Sequence, residues 1–387
     1  MLTMKKLSIA IAGAMFSTFY AGLEAAHASH PVPSSVETSE DSGFHEEGMQ
    51  DVLVVPADTG SSYYASGNLY SLIASGADTG GEFALLDFSV SPLLPDPVLP
   101  PLHLHTRESE SFYVKNGELT IFMEDGINLV SPPEIKDWSA IKTVTVGPGS
   151  FVYLPKGRIH EFINPGTTQV NTLSLLTPPG FENALTFSPP VTDKNAPIPP
   201  FTTQGRELYE ANASQYGLAC ENCANRDEVL AQLAGQELQD YLVVPGDAQG
   251  RESFSLEGNQ YTSLATDEET GGEFSLFNVS LAPQTEPGLL QTTEQQTESY
   301  YITDGEVKFL FKNQSLVATP GTFVSFPEGT PYAYQNLGTT PASTLLLRTP
   351  AAVPEPSSWL GVLGCGAFLG ASLVFKRKHK KQKSADL

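Results

Sequence analysis

Cysteine, histidine and positive charge are all scarce in this chain. Of 387 residues, only three are cysteine and seven histidine, and 21 lysines and arginines stand against 44 aspartates and glutamates. Three cysteines cannot build a disulfide-dense scaffold or a four-thiolate zinc site. A net charge of −23 argues against nucleic acid or an anionic surface as a partner. The folded part is more acidic still, because Lys5, Lys6 and the cluster at 376–383 hold much of the positive charge at the two ends. Such a balance fits a solvated extracytoplasmic protein that holds cations loosely.

Both ends read as targeting segments. In residues 1–28, Lys5 and Lys6 precede an apolar run from Leu7 to Gly22, and Ala26-His27-Ala28 offers a small-residue cleavage site, so this is a secretory signal peptide. Residues 29–50 are rich in Ser, Glu, Asp and Pro and are expected to be flexible. At the other end, Val353-Pro354-Glu355-Pro356 precedes WLGVLGCGAFLGASLVF and a basic tail. That apolar run is about the length a membrane-spanning helix needs, and the basic cluster favours the cytoplasmic side. Cys365 within it reads as a small membrane-facing residue.

Between these ends the chain is a series of short runs rich in β-branched and aromatic residues, punctuated by Gly, Pro, Asn and Asp. This pattern predicts an all-β sandwich or barrel. The pattern also occurs twice. DVLVVPADTG at Asp51 returns as DYLVVPGDAQ at Asp240, GGEFALLDFSVSP at Gly80 as GGEFSLFNVSLAP at Gly271, ESFYVKNGE at Glu110 as ESYYITDGE at Glu298, and PGSFVYLPKG at Pro148 as PGTFVSFPEG at Pro320. An internal duplication follows, with one domain over 51–190, a linker over 191–238 and a second domain over 239–350. Within the linker, RELYEANASQYG and NRDEVLAQLAGQEL have helical composition. Cys220 and Cys223 lie between them, and in an oxidising compartment a local disulfide is expected. Residues 124–140 are longer than a hairpin needs and read as a loop at one mouth of the barrel.

The histidines single out one copy. Four of the seven fall in the terminal segments, at 27, 30, 45 and 379, which leaves His103, His105 and His160. His103 and His105 share one face of a strand by their spacing of two. Glu110 and Gly117 follow, and the second block runs Gly149, Pro155, Gly157, His160, Asn164. Three imidazoles and a carboxylate suit a divalent transition metal. Glu108 is a rival carboxylate that reads as rim or outer shell.

These two blocks resemble the two motifs of the cupin superfamily, without a gap, and the duplication makes the chain similar to a bicupin. The resemblance implies two double-stranded β-helix (jelly-roll) barrels, a short helical linker, and His103, His105, Glu110 and His160 as ligands to one divalent metal, with Fe, Mn, Ni, Cu and Zn as candidates. In the second copy His103 aligns with Gln291, His105 with Thr293 and His160 with Tyr332, and only Glu298 remains. That copy reads as structural or as a metal-free pocket.

Among bicupins the first block looks most like quercetin-2,3-dioxygenase-like proteins. This implies a phenolic or enolic small-molecule substrate, dioxygen as the oxidant and Glu110 as catalytic base. Phe112, Val114, Phe151, Tyr153 and Phe162 are candidate pocket walls. Leu102 stands where an oxalate decarboxylase would be expected to carry arginine. A non-catalytic surface or matrix protein binding metal or glycan, and a metal-dependent sugar isomerase or epimerase, are the alternatives. The C-terminus resembles the PEP-CTERM sorting signal. It implies membrane-anchored passage, exosortase processing and delivery to the surface or extracellular matrix of a Gram-negative-type cell.

Overall fold

The computed structural model describes residues 52–95, 97–124, 141–185, 189–236, 238–283, 286–292 and 296–350. The signal peptide, the acidic segment, Asp51, Thr293, nearly all of the 124–140 loop and the C-terminal sorting signal with its apolar helix lie outside the described residues. No helix among the described residues is long and apolar enough to cross a membrane.

In chain order the first copy supplies β1 (Leu53–Val55), β2 (Ser62–Ala65), β3 (Asn68–Ala74), β4 (Ala84–Val90), β5 (His103–His105), β6 (Ser109–Asn116), β7 (Leu119–Glu124), β8 (Ile141–Val146), β9 (Phe151–Leu154), β10 (His160–Ile163) and β11 (Val170–Thr177). A short helix α1 (Glu182–Leu185) follows. The linker forms α2 (Thr203–Asn212), β12 (Leu218–Cys220) and α3 (Arg226–Leu230). The second copy supplies β13 (Leu242–Val244), β14 (Ser253–Leu256), β15 (Asn259–Ala265), β16 (Ser275–Leu281), β17 (Gln291–Thr292), β18 (Gln296–Asp304), β19 (Val307–Phe311), β20 (Gln314–Ala318), β21 (Phe323–Phe326), β22 (Pro331–Asn336) and β23 (Ala342–Pro350).

Each copy folds a larger and a smaller antiparallel sheet around an apolar interior. The first copy has the orders β13-β9-β6-β11-β4-β3-β2 and β12-β5-β10-β7-β8, and the second β1-β21-β18-β23-β16-β15-β14 and β17-β22-β19-β20. The opening strand of each copy therefore sits in the other copy's sheet. Val54 of β1 faces Val324 of β21, and Val243 of β13 faces Val152 of β9. The division at 51–190 and 239–350 does not anticipate this exchange.

The larger sheets bury one face inside their own barrel and the other against each other. Period-two alternation assigns the residues. On β9, Val152 and Leu154 point into the first barrel with Phe88, Phe112 and Val114. Phe151 and Tyr153 point the other way, into a shared layer with Phe274, Leu276, Phe323, Leu345 and Leu347 of the second copy. Each such side chain contributes roughly 1.5–3 kcal/mol through burial.

Two glutamates stitch this layer reciprocally. Glu273 of the second copy accepts from Ser109 (3.0 Å), Thr177 (3.0 Å) and Tyr153 (3.2 Å) of the first. Glu82 of the first accepts from Thr297 and Thr349 of the second. Ser109 lies between Glu108 and Glu110, so the second barrel steadies the strand that carries the carboxylates of the site.

The motif asparagines serve the fold. Asn164 donates to Val90 O and Thr168 O and accepts from Gly166 N, closing the loop after β10. Asn336 repeats the same three bonds to Leu281 O, Thr340 O and Gly338 N. Gly157 explains its own position too. Its φ is +80°, and a Cβ there would lie 2.8 Å from the Leu238 side chain.

Candidate metal centre

The four predicted ligands converge inside the first barrel. β5 and β10 pair so that His103 faces His160 directly. Leu104, between the two histidines of β5, turns outward against Ile159, Ala219, Val229 and Leu233, which commits both imidazoles inward. Glu110 reaches the same point from β6 in the opposite sheet, where it pairs with Leu154 and Leu176. One ligand atom from each of the four residues lies within 4.8 Å of the others, and all four residues are buried. Glu110 Oε2 is 3.4 Å from His160 Nε2 and 3.9 Å from His105 Nε2.

Each imidazole is oriented through its other nitrogen. Nδ1 of His103 lies 3.0 Å from Pro101 O, that of His105 2.9 Å from Glu108 Oε1, and that of His160 2.9 Å from Arg158 O. Protons donated at Nδ1 leave the Nε2 lone pairs for the centre. Glu108 thus holds a ligand from outside the ligand set.

These observations test whether a cation fits. His105 Nε2 and His160 Nε2 are buried with no hydrogen-bond partner, and each such group costs about 1–3 kcal/mol if left so. A cation relieves both. Burial drives the His105 imidazole well below its ordinary pKa, so it is neutral as ligation requires. Burial acts to raise the Glu110 pKa, but His160, His105 and His103 outweigh it and hold the carboxyl below its usual range. Three imidazole nitrogens and one carboxylate oxygen are the donor set of a divalent transition metal, with coordination positions to spare.

The remaining sequence candidates separate. Phe112 and Val114 lie in the barrel interior, and Phe162 packs edge-on against Phe88 and Phe112. Phe151 and Tyr153 do not belong to this interior. Both faces of β9 are buried, and these two side chains fill the layer between barrels. Cys220 and Cys223 are joined by a disulfide.

The linker is part of the site, which its helical composition did not foretell. β12 adds to the small sheet beside β5, with Cys220 opposite His103 and Leu218 opposite His105. Thr202 caps α2 by accepting from Gly205 N, and Tyr209 on that helix sets its ring edge-on to His103 at 6.1 Å. Phe181 stands edge-on to His105 at 4.7 Å. A strand of three residues before a disulfide leaves almost no sequence signal. Glu161 was also missed. It follows an inward-facing histidine, so alternation sends it outward, yet it is 4% exposed and its Oε2 lies 3.3 Å from His103 Nδ1.

The second barrel preserves the backbone of this arrangement without its chemistry. Gln291 faces Tyr332 as His103 faces His160. The Tyr332 hydroxyl donates to Glu298 Oε2, and its ring stacks on Phe326 at 4.0 Å. Arg348 Nε donates to the other Glu298 oxygen at 2.7 Å, and the Tyr300 and Tyr332 hydroxyls lie 2.8 Å apart. Among the described residues, a hydrogen-bonded aromatic cluster stands where the first barrel has its ligand group.

Comparison with known proteins agrees with this architecture. The model of the Cupin domain family matches residues 93–176 and 277–348, once in each copy. Two domains of this chain thus match the Cupin domain family, an arrangement like that of a bicupin, and the first barrel carries a buried three-histidine, one-glutamate group suited to a divalent transition metal. No curated protein matches the chain. Similar solved structures include the E. coli protein Ylba, at 11% identity over 81% of this chain and 100% of that one, with a TM-score of 0.49. Oxalate decarboxylase from B. subtilis gives 16% identity over 80% and 79%, with a TM-score of 0.49. A Lactobacillus farciminis oxalate decarboxylase formate complex gives 15% over 78% and 86%, with a TM-score of 0.46.

Proposed function

We propose that the protein is an exported, metal-dependent dioxygenase of the quercetin-2,3-dioxygenase-like kind, acting on a phenolic or enolic small molecule in its first barrel. The observation that carries this reading is the pairing of one buried four-ligand group with an aromatic interior. Tyr70 and Phe88 stack at 4.2 Å, and Phe112 and Phe162 complete the surroundings. Such surfaces suit a planar aromatic better than a sugar, which calls for several Asn, Gln and Arg side chains. Oxalate is disfavoured for a related reason. A small dianion wants a cationic clamp, but Arg158 is bound to Gln239 and Asp240, and Arg107 donates to Gln215 O.

When bound, the metal supplies a Lewis acid that makes a phenol or enol oxygen easier to deprotonate. Glu110, ionised and adjacent, receives that proton. Glu108 and the carbonyls of Pro101 and Arg158 hold the imidazoles in place throughout. The linker helix and Phe181 shield the centre from water. Metal analysis of the purified protein, followed by oxygen-uptake measurements with flavonols and related enols, tests the reading. If no divalent metal supports oxygen consumption, a non-catalytic metal-binding surface protein takes its place.

Export and sorting belong to the same proposal and rest on the sequence of the two ends. The mature surface protein is expected to lack residues 359–387. Mass spectrometry of native protein that finds the Lys-rich tail intact refutes exosortase cleavage and leaves a tail anchor.

A further inference from the structure

Two polar atoms beside the metal group are left short of hydrogen-bond partners in the protein. The Tyr209 hydroxyl is buried without a hydrogen-bond partner, and so is Glu161 Oε2. The second Glu161 oxygen is occupied, accepting from Phe162 N at 3.0 Å. Its Oε2 has only the 3.3 Å approach of His103 Nδ1, a nitrogen already 3.0 Å from Pro101 O. Both residues flank His103, one through the edge-on ring contact and one through that approach. The charges that act most strongly on the Tyr209 phenol are Glu161 and then Glu110.

A donor and an acceptor buried in one neighbourhood normally bond each other, since each orphan costs about 1–3 kcal/mol. These two do not. A hydroxyl satisfies both at once, accepting from the phenol and donating to the carboxylate, whether it belongs to a water or to a bound molecule that displaces the water. We propose that Tyr209 and Glu161 hold a hydroxyl of the bound small molecule: Tyr209 donates to its oxygen, and its proton is donated to Glu161 Oε2. The molecule recognised therefore carries a hydroxyl next to the oxygen presented to the metal, as a vicinal dihydroxy or hydroxy-oxo compound does. The linker, through Tyr209, is then the part of the chain that reads the substrate. This assignment rests on the reading of the first barrel as a small-molecule site.

The test compares two probes that differ by one hydroxyl, catechol and phenol. Each is titrated under argon into Co(II)-loaded protein and followed by the visible absorption of the cobalt. In Tyr209→Phe, the preference for catechol over phenol should fall about 10-fold, the worth of one hydrogen bond of this kind, with cobalt content unchanged. Glu161→Gln, whose amide oxygen accepts more weakly, should lower the preference in the same direction. The ratio is the useful quantity, because a general loosening of the site weakens both probes together. An unchanged ratio in both variants, with binding intact, overturns the clamp and spares the site. Wild-type protein that binds cobalt but neither probe overturns the small-molecule reading, and the clamp with it.

Discussion

His103→Ala and His160→Ala should each yield protein without stoichiometric metal, whereas Tyr332→Phe should leave metal content at the wild-type value. The two histidines face each other across β5 and β10 and supply two of four ligands. Losing even an outer-shell partner of a ligand costs about 10–100-fold in metal affinity, so losing a ligand itself should exceed that. Tyr332 occupies the position of His160 but serves only Glu298 and Tyr300. Tyr332→Ala should also keep its metal, but it removes a fully buried, stacked ring, which costs about 3–5 kcal/mol. The phenylalanine variant is therefore the cleaner control. Elemental analysis of the purified variants decides the matter. Equal metal in all of them would end the assignment.

Glu110→Gln should keep the fold and part of the metal, since an amide oxygen still coordinates weakly, but lower the rate of oxygen consumption by about 10²–10⁴, the usual worth of a general base. Glu298→Gln should leave the rate within about twofold. The two residues hold matching positions on β6 and β18, yet only Glu110 faces imidazoles. Glu298 is bonded to Tyr332 and Arg348, and replacing it unpairs a half-buried guanidinium. Its variant should unfold more easily in denaturant while still turning over. If Glu298→Gln slows the reaction as much as Glu110→Gln, the second barrel is not catalytically silent.

Some of this organisation could be read directly from residues. The spacing of His103 and His105, with an apolar Leu104 between, is enough to put two imidazoles on one strand face. The loss of His160 to Tyr332 announces a barrel without an ion. Parity fails where both faces of a strand are buried. On β9 the sequence Phe-Val-Tyr-Leu is apolar throughout, so nothing in it says that Val152 and Leu154 face inward while Phe151 and Tyr153 face the neighbouring sheet. Composition was also silent on β12, whose place is fixed by pairing with β5. The repeated LVV segments at Leu53 and Leu242 read as equivalent strands, but no local property tells which copy receives them.

That last arrangement bears on how such a chain arose. A single copy standing alone would hold an opening strand with no sheet to join, and a sheet edge at β9 or β21 with nothing beside it. An unpaired edge of this kind invites another chain, and two identical copies would answer each other's need around a two-fold axis. The duplicated gene can be understood as such a dimer written onto one polypeptide. Joining the halves made the mutual loan of strands a matter of tether length rather than concentration. In such a pair one half can carry the histidines while the other, without them, still completes its twin's sheet.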